Sequence, residues 1–264
     1  MTAMIFAAGL GTRLKPLTDT MPKALVPLAG KPLLQWQVEK LRDAGITDII
    51  VNVHHFPDMI IEAIRANNGW GCNITISDER DQLLDTGGGL RKAVHRTPYT
   101  VHRTPILACN VDILSNIDIR ALVNEYNKLS SLQGGVGGRL SGLLVVSERE
   151  TQRYLLFDEQ DVLRGWTNIA TGEVKPSALS HQPSEFRKLA FSGMQILGPE
   201  VLDRLDEMPQ DKFSLIDFYV HLCEQNDQSV LRAYVPENYR MMDVGKINQI
   251  EEAALFAEKL QKKS

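Results

Sequence analysis

The chain has 264 residues, 43% of them hydrophobic and 23% charged, with 29 lysines and arginines against 33 aspartates and glutamates and a net charge of −4. That is the balance of a globular protein with one large α/β domain or two small ones, and the acidic sign excludes a nucleic-acid binder that relies on a broad basic face. Small anionic ligands stay open, because they need only a local cluster of cations. Cys72, Cys109 and Cys223 are odd in number and far apart, with no C-x-x-C, so we expect free thiols in a reducing cytoplasm rather than a disulfide framework or a zinc ribbon. No basic stretch followed by an apolar core suggests a signal peptide, and no apolar run reaches the ~18 residues of a membrane span.

In chain order, "AMIFAA" (residues 3–8) is an apolar run closed by glycine and reads as a buried parallel strand. Residues 33–45, "LLQWQVEKLRDAG", have helical spacing and stop at Gly45. "DIIVNVHH" (48–55) is a second strand, and "PDMIIEAIRANNG" (57–69) a second helix with Pro57 in its first turn. "NITISDE" (73–79) is a third strand, "GGGLRKAV" (87–94) a short helix, "PILACNVDIL" (105–114) a fourth strand and "DIRALVNEYNKLS" (118–130) a helix. This alternation implies βαβ units and a mostly parallel sheet with helices on both faces.

The rhythm changes after Ser130. "GLLVVSE" (142–148), "RYLLFDEQDVLRGW" (153–166) and "KLAFSGMQILG" (188–198) read as strands, the middle one as a hairpin turning at 158–161. Helices return at 199–208 and 214–226, and a strand at 230–237, the segment "YRMMDVG" (239–245) and a last helix over 247–263 close the chain. The expected fold is therefore a three-layer α/β/α, Rossmann-like domain over residues 1–264. Its mostly parallel mixed sheet carries a small antiparallel hairpin region. Residues 1–130 form a nucleotide-binding half and 131–264 a second half, sharing one sheet. "VHRTPYTVHRTP" (94–105) repeats a seven-residue unit and reads as a lengthened surface loop, although it is basic enough for an anion. "QGGVGGRLSG" (133–142) reads as a flexible connection or a lid.

The segment after the first strand, "AAGLGTRLKPLTDTMPK" (residues 7–23), carries the chemistry. It lacks the lysine of a P-loop and the third glycine of a dinucleotide fingerprint, and Lys15-Pro16 blocks a long helix there. A nicotinamide oxidoreductase fails on the same points. What fits is a loop whose bare backbone wraps a nucleotide. Gly9 and Gly11 admit close approach and aim N–H groups at phosphate oxygens. Arg13 offers a planar fork and Lys23 a compact charge. Two carboxylates, Asp112 and Asp243, each close a strand-like segment. Ligands of open α/β sheets collect beyond strand carboxyl ends, where two aspartates beside a triphosphate suit Mg²⁺. The same residues equally suit capping of a turn. His54 and His55 end the second strand and read as structural or solvent-facing.

"GLGTRLKP…PKALVPLAGKP" closely resembles the signature of sugar-1-phosphate nucleotidyltransferases, and the resemblance runs on through "DTGGGL", "NVDIL", "AFSGMQIL" and "MMDVG". It is strongest for the short bacterial members that act with UTP on N-acetylmuramate 1-phosphate. Enzymes pairing GTP with mannose or heptose 1-phosphate are the main rival, and a non-catalytic nucleotide-sensing subunit is a reading from another class. The resemblance implies a catalytic pair, Arg13 and Lys23, and Mg²⁺ on Asp112 and Asp243. It implies nucleotide contacts from Ala8, Gly9, Gly11, Thr12, Arg13, Lys23, Asp85, Gly87 and Gly88, and substrate contacts from Asn110, Ser192 and Gly193. Val111 stands where many members have glycine, and Ser192 where many have asparagine. The family's sugar-phosphate lysine has no clear counterpart, so Arg153 at the opening of the hairpin is the candidate for that grip. The implied partners are a nucleoside triphosphate and a sugar 1-phosphate, with no nucleic acid or membrane. The implied state is a monomer or homodimer.

Overall fold

In the computed structural model, which describes residues 1–96, 104–131, 140–181, 185–225 and 230–261, the first apolar run is β1 (Thr2–Phe6). Its flanking strands are both parallel to it, β4 (Asp48–Val53) on one side and β6 (Ile106–Asn110) on the other. Successive side chains of a strand point to opposite faces, and here both faces are covered. Ala3, Ile5 and Ala7 join one buried cluster, and Met4 and Phe6 join another. The first cluster takes in α1 (Leu33–Asp43), α2 (Pro57–Ala66), α4 (Ile119–Ser131) and α7 (Ile250–Gln261). The second takes in α3 (Asp85–Arg96), α5 (Pro199–Asp203) and α6 (Leu215–Glu224). Three layers follow directly.

Helix α1 shows the local logic. Leu33, Leu34, Val38 and Leu41 are at most 1% exposed, and each buried side chain contributes ~1.5–3 kcal/mol. The helix stops as its sequence predicts. The Gly45 N–H reaches the Arg42 carbonyl at 2.8 Å and the Ile46 N–H the Leu41 carbonyl at 2.9 Å, which satisfies two terminal carbonyls.

The main sheet, ten-stranded among the described residues, has the order β11-β10-β9-β12-β6-β1-β4-β5, with β8 beside β12 and β13 beside β8. Here β5 is Asn73–Asp78, β8 Leu140–Ser147, β9 Arg153–Phe157, β10 Leu163–Asn168, β11 Glu173–Lys175, β12 Arg187–Leu197 and β13 Val230–Tyr234. The β5-β4-β1-β6 half is parallel. Beyond β6 the pairings with β12, β9, β10 and β11 are antiparallel. The hairpin turns at 158–161 as expected, with the Asp158 carboxylate accepting the Gln160 and Val162 N–H groups at 2.9 Å each. A small hairpin of β2 (Pro27–Leu28) and β3 (Lys31–Pro32) stands apart.

Two differences from the sequence expectation bear on the site. The fourth strand is not one run over 105–114. It breaks after Asn110, and Ile113–Ser115 becomes β7, which pairs antiparallel with β14 (Met241–Asp243). Apolar spacing continues across Val111, so nothing local announces the break. Helix α3 begins at Asp85 rather than at Gly87. The repeated VHRTP unit and the glycine-rich stretch lie largely outside the described residues. Among those that are described, no helix is long and apolar enough to cross a membrane.

Candidate active site

Parallel strands finish on one edge, so Phe6 of β1, Asn52 of β4 and Asn110 of β6 arrive together. They line a cavity of about 320 Å³ with Ala7, Ala8, Gly9, Lys23, Asp85, Thr86, Val111, Asp112 and Lys212. The wall residues Ala7, Ala8, Gly9 and Lys23 come from the segment 7–25, which folds into the short turns Thr12–Leu14, Leu17–Asp19 and Lys23–Leu25 rather than a long helix. Leu14 anchors this wall at 0% exposure. Gly11 has φ +64°, and a Cβ there would lie 2.8 Å from the Thr18 methyl carbon, so the position requires glycine. Thr18 Oγ1 donates to the Gly11 carbonyl at 2.8 Å, which fixes the turn. Thr12 and Arg13 are exposed on its rim.

The break after β6 gives the site its charges. Asp112 sits at the junction, its carbonyl accepting the Val244 N–H at 2.8 Å, and the β7–β14 pairing brings Asp243 alongside. Lys23 is 9% exposed and its ammonium is ion-paired with the Asp112 carboxylate. Arg13 Nη2 lies 3.8 Å from Asp243 Oδ2. Among the described residues neither aspartate side chain accepts a backbone N–H, so turn capping does not account for them. Asp243 Oδ1 is buried with no hydrogen-bond partner. Burial, and then the Asp112 charge, push the Asp243 carboxyl above its ordinary value, against the pull of Lys23, Arg13 and Arg149. An orphaned buried carboxylate oxygen beside a second carboxylate fits a hard divalent cation. Among the described residues no third histidine, cysteine or carboxylate joins them. That suits Mg²⁺, which binds through one or two carboxylates and leaves other positions to water and phosphate oxygens.

Helix α1 holds β7 in place from behind. Gln37 Nε2 donates to the Ile113 carbonyl at 2.7 Å, and Lys40 Nζ to the Ser115 carbonyl at 2.6 Å and hydroxyl at 2.9 Å. Burial pushes the Lys40 ammonium down to about 8. Val111 is 4% exposed and packs in the core cluster while touching the cavity.

The triple glycine has a packing role. The N–H groups of Gly87 and Gly88 both donate to the Phe213 carbonyl, at 2.9 and 3.1 Å. A Cβ would lie 2.4 Å from the Phe213 ring at Gly87 and 2.2 Å from the Asp211 carbonyl oxygen at Gly88. These glycines therefore seat α3 against the segment before α6, and their amides are already engaged. Thr86 Oγ1 accepts the Leu215 N–H at 3.0 Å. Asp85, which lines the cavity, accepts the Thr86 N–H at 2.6 Å.

Of the residues expected at the sugar side, Asn110 lines the cavity and abuts Gly193, whose Cβ would lie 3.0 Å from Asn110 Nδ2. Ser192 is 1% exposed and does not line the cavity; the Tyr239 phenol lies against its side chain. Arg153 is exposed at the start of β9 and does not line the cavity.

Sequence reasoning missed a buried pair. Asn52 Oδ1 accepts the Ala7 N–H at 2.7 Å, and its Nδ2 donates to Glu79 Oε1 at 2.8 Å. Glu79, 0% exposed, also accepts the Leu84 N–H at 3.2 Å. Burial pushes its carboxyl up, against those hydrogen bonds. One polar link thus ties the loop wall to the segment that opens α3. An asparagine inside the apolar run "DIIVNV" was the available signal. Lys212 was missed too, with no motif to mark it. His54 Nδ1 lies 2.7 Å from the Glu79 carbonyl oxygen, a structural contact. The three cysteines are free, as expected.

The family model for nucleotidyl transferase matches residues 2–260. An N-acetylmuramate alpha-1-phosphate uridylyltransferase of Neisseria meningitidis is 40% identical over 206 residues, 78% of this chain and 79% of that protein. A mannose-1-phosphate guanyltransferase of Schizosaccharomyces pombe is 31% identical over 93% of this chain and 61% of that protein. The matched stretches span 45% to 79% of the length of such curated relatives. Among solved structures, a putative glucose-1-phosphate thymidylyltransferase from Bacillus anthracis superposes with a TM-score of 0.74 at 16% identity. That match covers 97% of this chain and 95% of the other, and it is a likeness of fold.

Proposed function

The chain belongs to the nucleotidyl transferase family, and from that premise we propose that it joins a nucleotidyl group from a nucleoside triphosphate to a sugar 1-phosphate, releasing pyrophosphate in the cytoplasm. UTP with N-acetylmuramate 1-phosphate is the favoured pair, supported by the 40% identical relative. GTP with mannose 1-phosphate is the second reading, supported by the match that covers 93% of the chain.

The observation that carries the proposal is the meeting of Lys23 with Asp112 at the strand ends, beside an unpartnered Asp243 oxygen and the Gly9–Gly11 backbone. A sugar-phosphate oxygen attacks the α-phosphorus in line. The new P–O bond forms as the bond from the α-phosphorus to the β-phosphate bridging oxygen breaks. The attacker is already an anion, so no side-chain base is needed and catalysis reduces to alignment and charge neutralisation. Lys23 holds the α-phosphate against the incoming phosphate. Arg13, on the exposed rim, holds the departing pyrophosphate with a planar fork. Asp85 meets the base at the far end of the cavity. Asp112 and Asp243 would hold Mg²⁺, which when bound supplies positive charge to the phosphate oxygens.

Pyrophosphate release, measured for four nucleoside triphosphates against a panel of sugar 1-phosphates with Mg²⁺, tests this reading. Turnover should concentrate in one pair. No pyrophosphate from any pair would leave nucleotide sensing, not transfer, as the function.

A further inference from the structure

The carboxylate pair hangs on a small piece of secondary structure. Strand β7 has three residues and pairs with the three of β14 in a two-stranded sheet of their own, apart from the main sheet. A two-stranded pairing is marginal by itself, yet its register decides the site. Asp243 stands opposite Ile113, the residue that follows Asp112. A slip of one residue would turn Asp243 to the other face of the pair, away from Asp112.

Helix α1 supplies what the pairing lacks. Carbonyls two residues apart on a strand face the same edge, and on β7 those of Ile113 and Ser115 are both taken by α1. The donors, Gln37 Nε2 at 2.7 Å and Lys40 Nζ at 2.6 Å, are three positions apart, so they share one side of the helix. Leu33, Leu34, Val38 and Leu41 sink the same helix into the core, which makes it a rigid support. Lys40 also donates to the Ser115 hydroxyl at 2.9 Å, and the Tyr239 phenol lies against that side chain. Past Ser115, the Asn116 N–H donates to the Arg240 carbonyl at 3.1 Å and the Arg240 N–H to Asn116 Oδ1 at 2.7 Å, which continues the tie.

Lys40 is the costly member of this set. Its ammonium is buried, and among the described residues no carboxylate pairs with it. The Cys109 thiol within reach of its charge is pushed up to about 12 by burial, so it stays neutral. A buried cation with no counter-charge works against stability, and its position under β7 points to another use.

We propose that Lys40, with Gln37, is a positioning residue for the metal site. By holding the Ser115 and Ile113 carbonyls, the two side chains fix the β7–β14 register and with it the placing of Asp243 beside Asp112. Neither lines the cavity. The assignment rests on the reading that the two aspartates hold a divalent ion.

Two readouts test it: Mn²⁺ bound to the chain with a non-hydrolysable UTP analogue, followed by electron paramagnetic resonance, and turnover as Mg²⁺ is raised. Lys40→Met keeps the length of the side chain and removes its donors. It should weaken Mn²⁺ binding ~10–100-fold, the range for residues that orient metal ligands. Turnover lost at low Mg²⁺ should return as Mg²⁺ is raised by a similar factor. Lys40→Gln, which keeps a donor, should recover part of the affinity. Leu41→Ala, the next residue of α1 but one packed in the core, should lower the melting temperature and leave Mn²⁺ affinity unchanged. Unaltered Mn²⁺ affinity in both Lys40 variants, or an equal loss in Leu41→Ala, would overturn the positioning role while the metal site stands. An unmodified chain that binds no Mn²⁺ would remove the metal site itself, and the positioning role with it.

Discussion

At the ends of β1, β4 and β6 the central ion pair and the carboxylate behind it are withdrawn from solvent, while Arg13 and Asp85 stand exposed at the rim. The side chains of Lys23 and Asp112 are 11% and 17% exposed, and Glu79 is fully buried. Around the β9–β10 hairpin the ions are numerous and wet. Arg187 bridges Glu148 and Asp161, and Arg164 pairs with Asp158, with the arginines 44% and 47% exposed. Both regions belong to one sheet, yet the same interaction has different consequences in each. An exposed pair gains little over its hydrated ions. A pair sheltered from water keeps most of its field, but it is costly to leave half-satisfied. Charges held at a dry strand edge are therefore better explained by the ligand they await than by stability.

That contrast can be broken at graded depth. The largest effect should come from Lys23→Ala or Asp112→Ala, each lowering kcat by ~10²–10³-fold, the range for one preorganised charge. Circular dichroism should show the fold retained, and near-normal turnover in both variants would remove these residues from the chemistry. Glu79→Ala comes next. It strands the Asn52 amide and the Leu84 N–H, at ~1–3 kcal/mol per group, and should lower the urea midpoint while raising KM for the triphosphate. Glu79→Gln, able to accept one of those bonds, should recover part of both. At Gly245, a Cβ would lie 2.6 Å from Asp243 Oδ1 and 2.7 Å from Arg13 Nη2. Gly245→Ala should therefore cost ~10-fold in kcat/KM by displacing that pair, with little change in melting temperature. Smallest of all, Arg187→Ala should shift stability by ~0.2–1 kcal/mol and leave turnover alone. A loss comparable to Glu79→Ala would erase the distinction between the two regions.

The depth of reading available from sequence followed the same division. Strand and helix alternation up to Ser130 was legible because periodicity is local, and the 158–161 turn because Asp158 satisfies its own neighbours. The glycine loop and its cations stood out by spacing, and Asp112 and Asp243 by their place at the ends of strand-like segments; the structure brings Arg13 beside Asp243 and Lys23 onto Asp112. What escaped depends on partners remote in the chain. The break after Asn110 is set by the pairing of β7 with β14, more than 120 residues downstream. Gly87 and Gly88 are required by Phe213 and Asp211, which no nearby residue announces. Asn52 gave a faint sign, a polar residue in an apolar strand, but its partner Glu79 lies 27 positions away.

The central claim is that the strand-end cavity beside Lys23, Asp112 and Asp243 is where the nucleotidyl group changes hands. A crystal structure with a non-hydrolysable UTP analogue and Mg²⁺ tests it most directly. The account predicts the α-phosphate at Lys23, the ion on both aspartates and the phosphate chain along the Gly9–Gly11 backbone. A nucleotide bound elsewhere, with Lys23 still closed on Asp112, would contradict it.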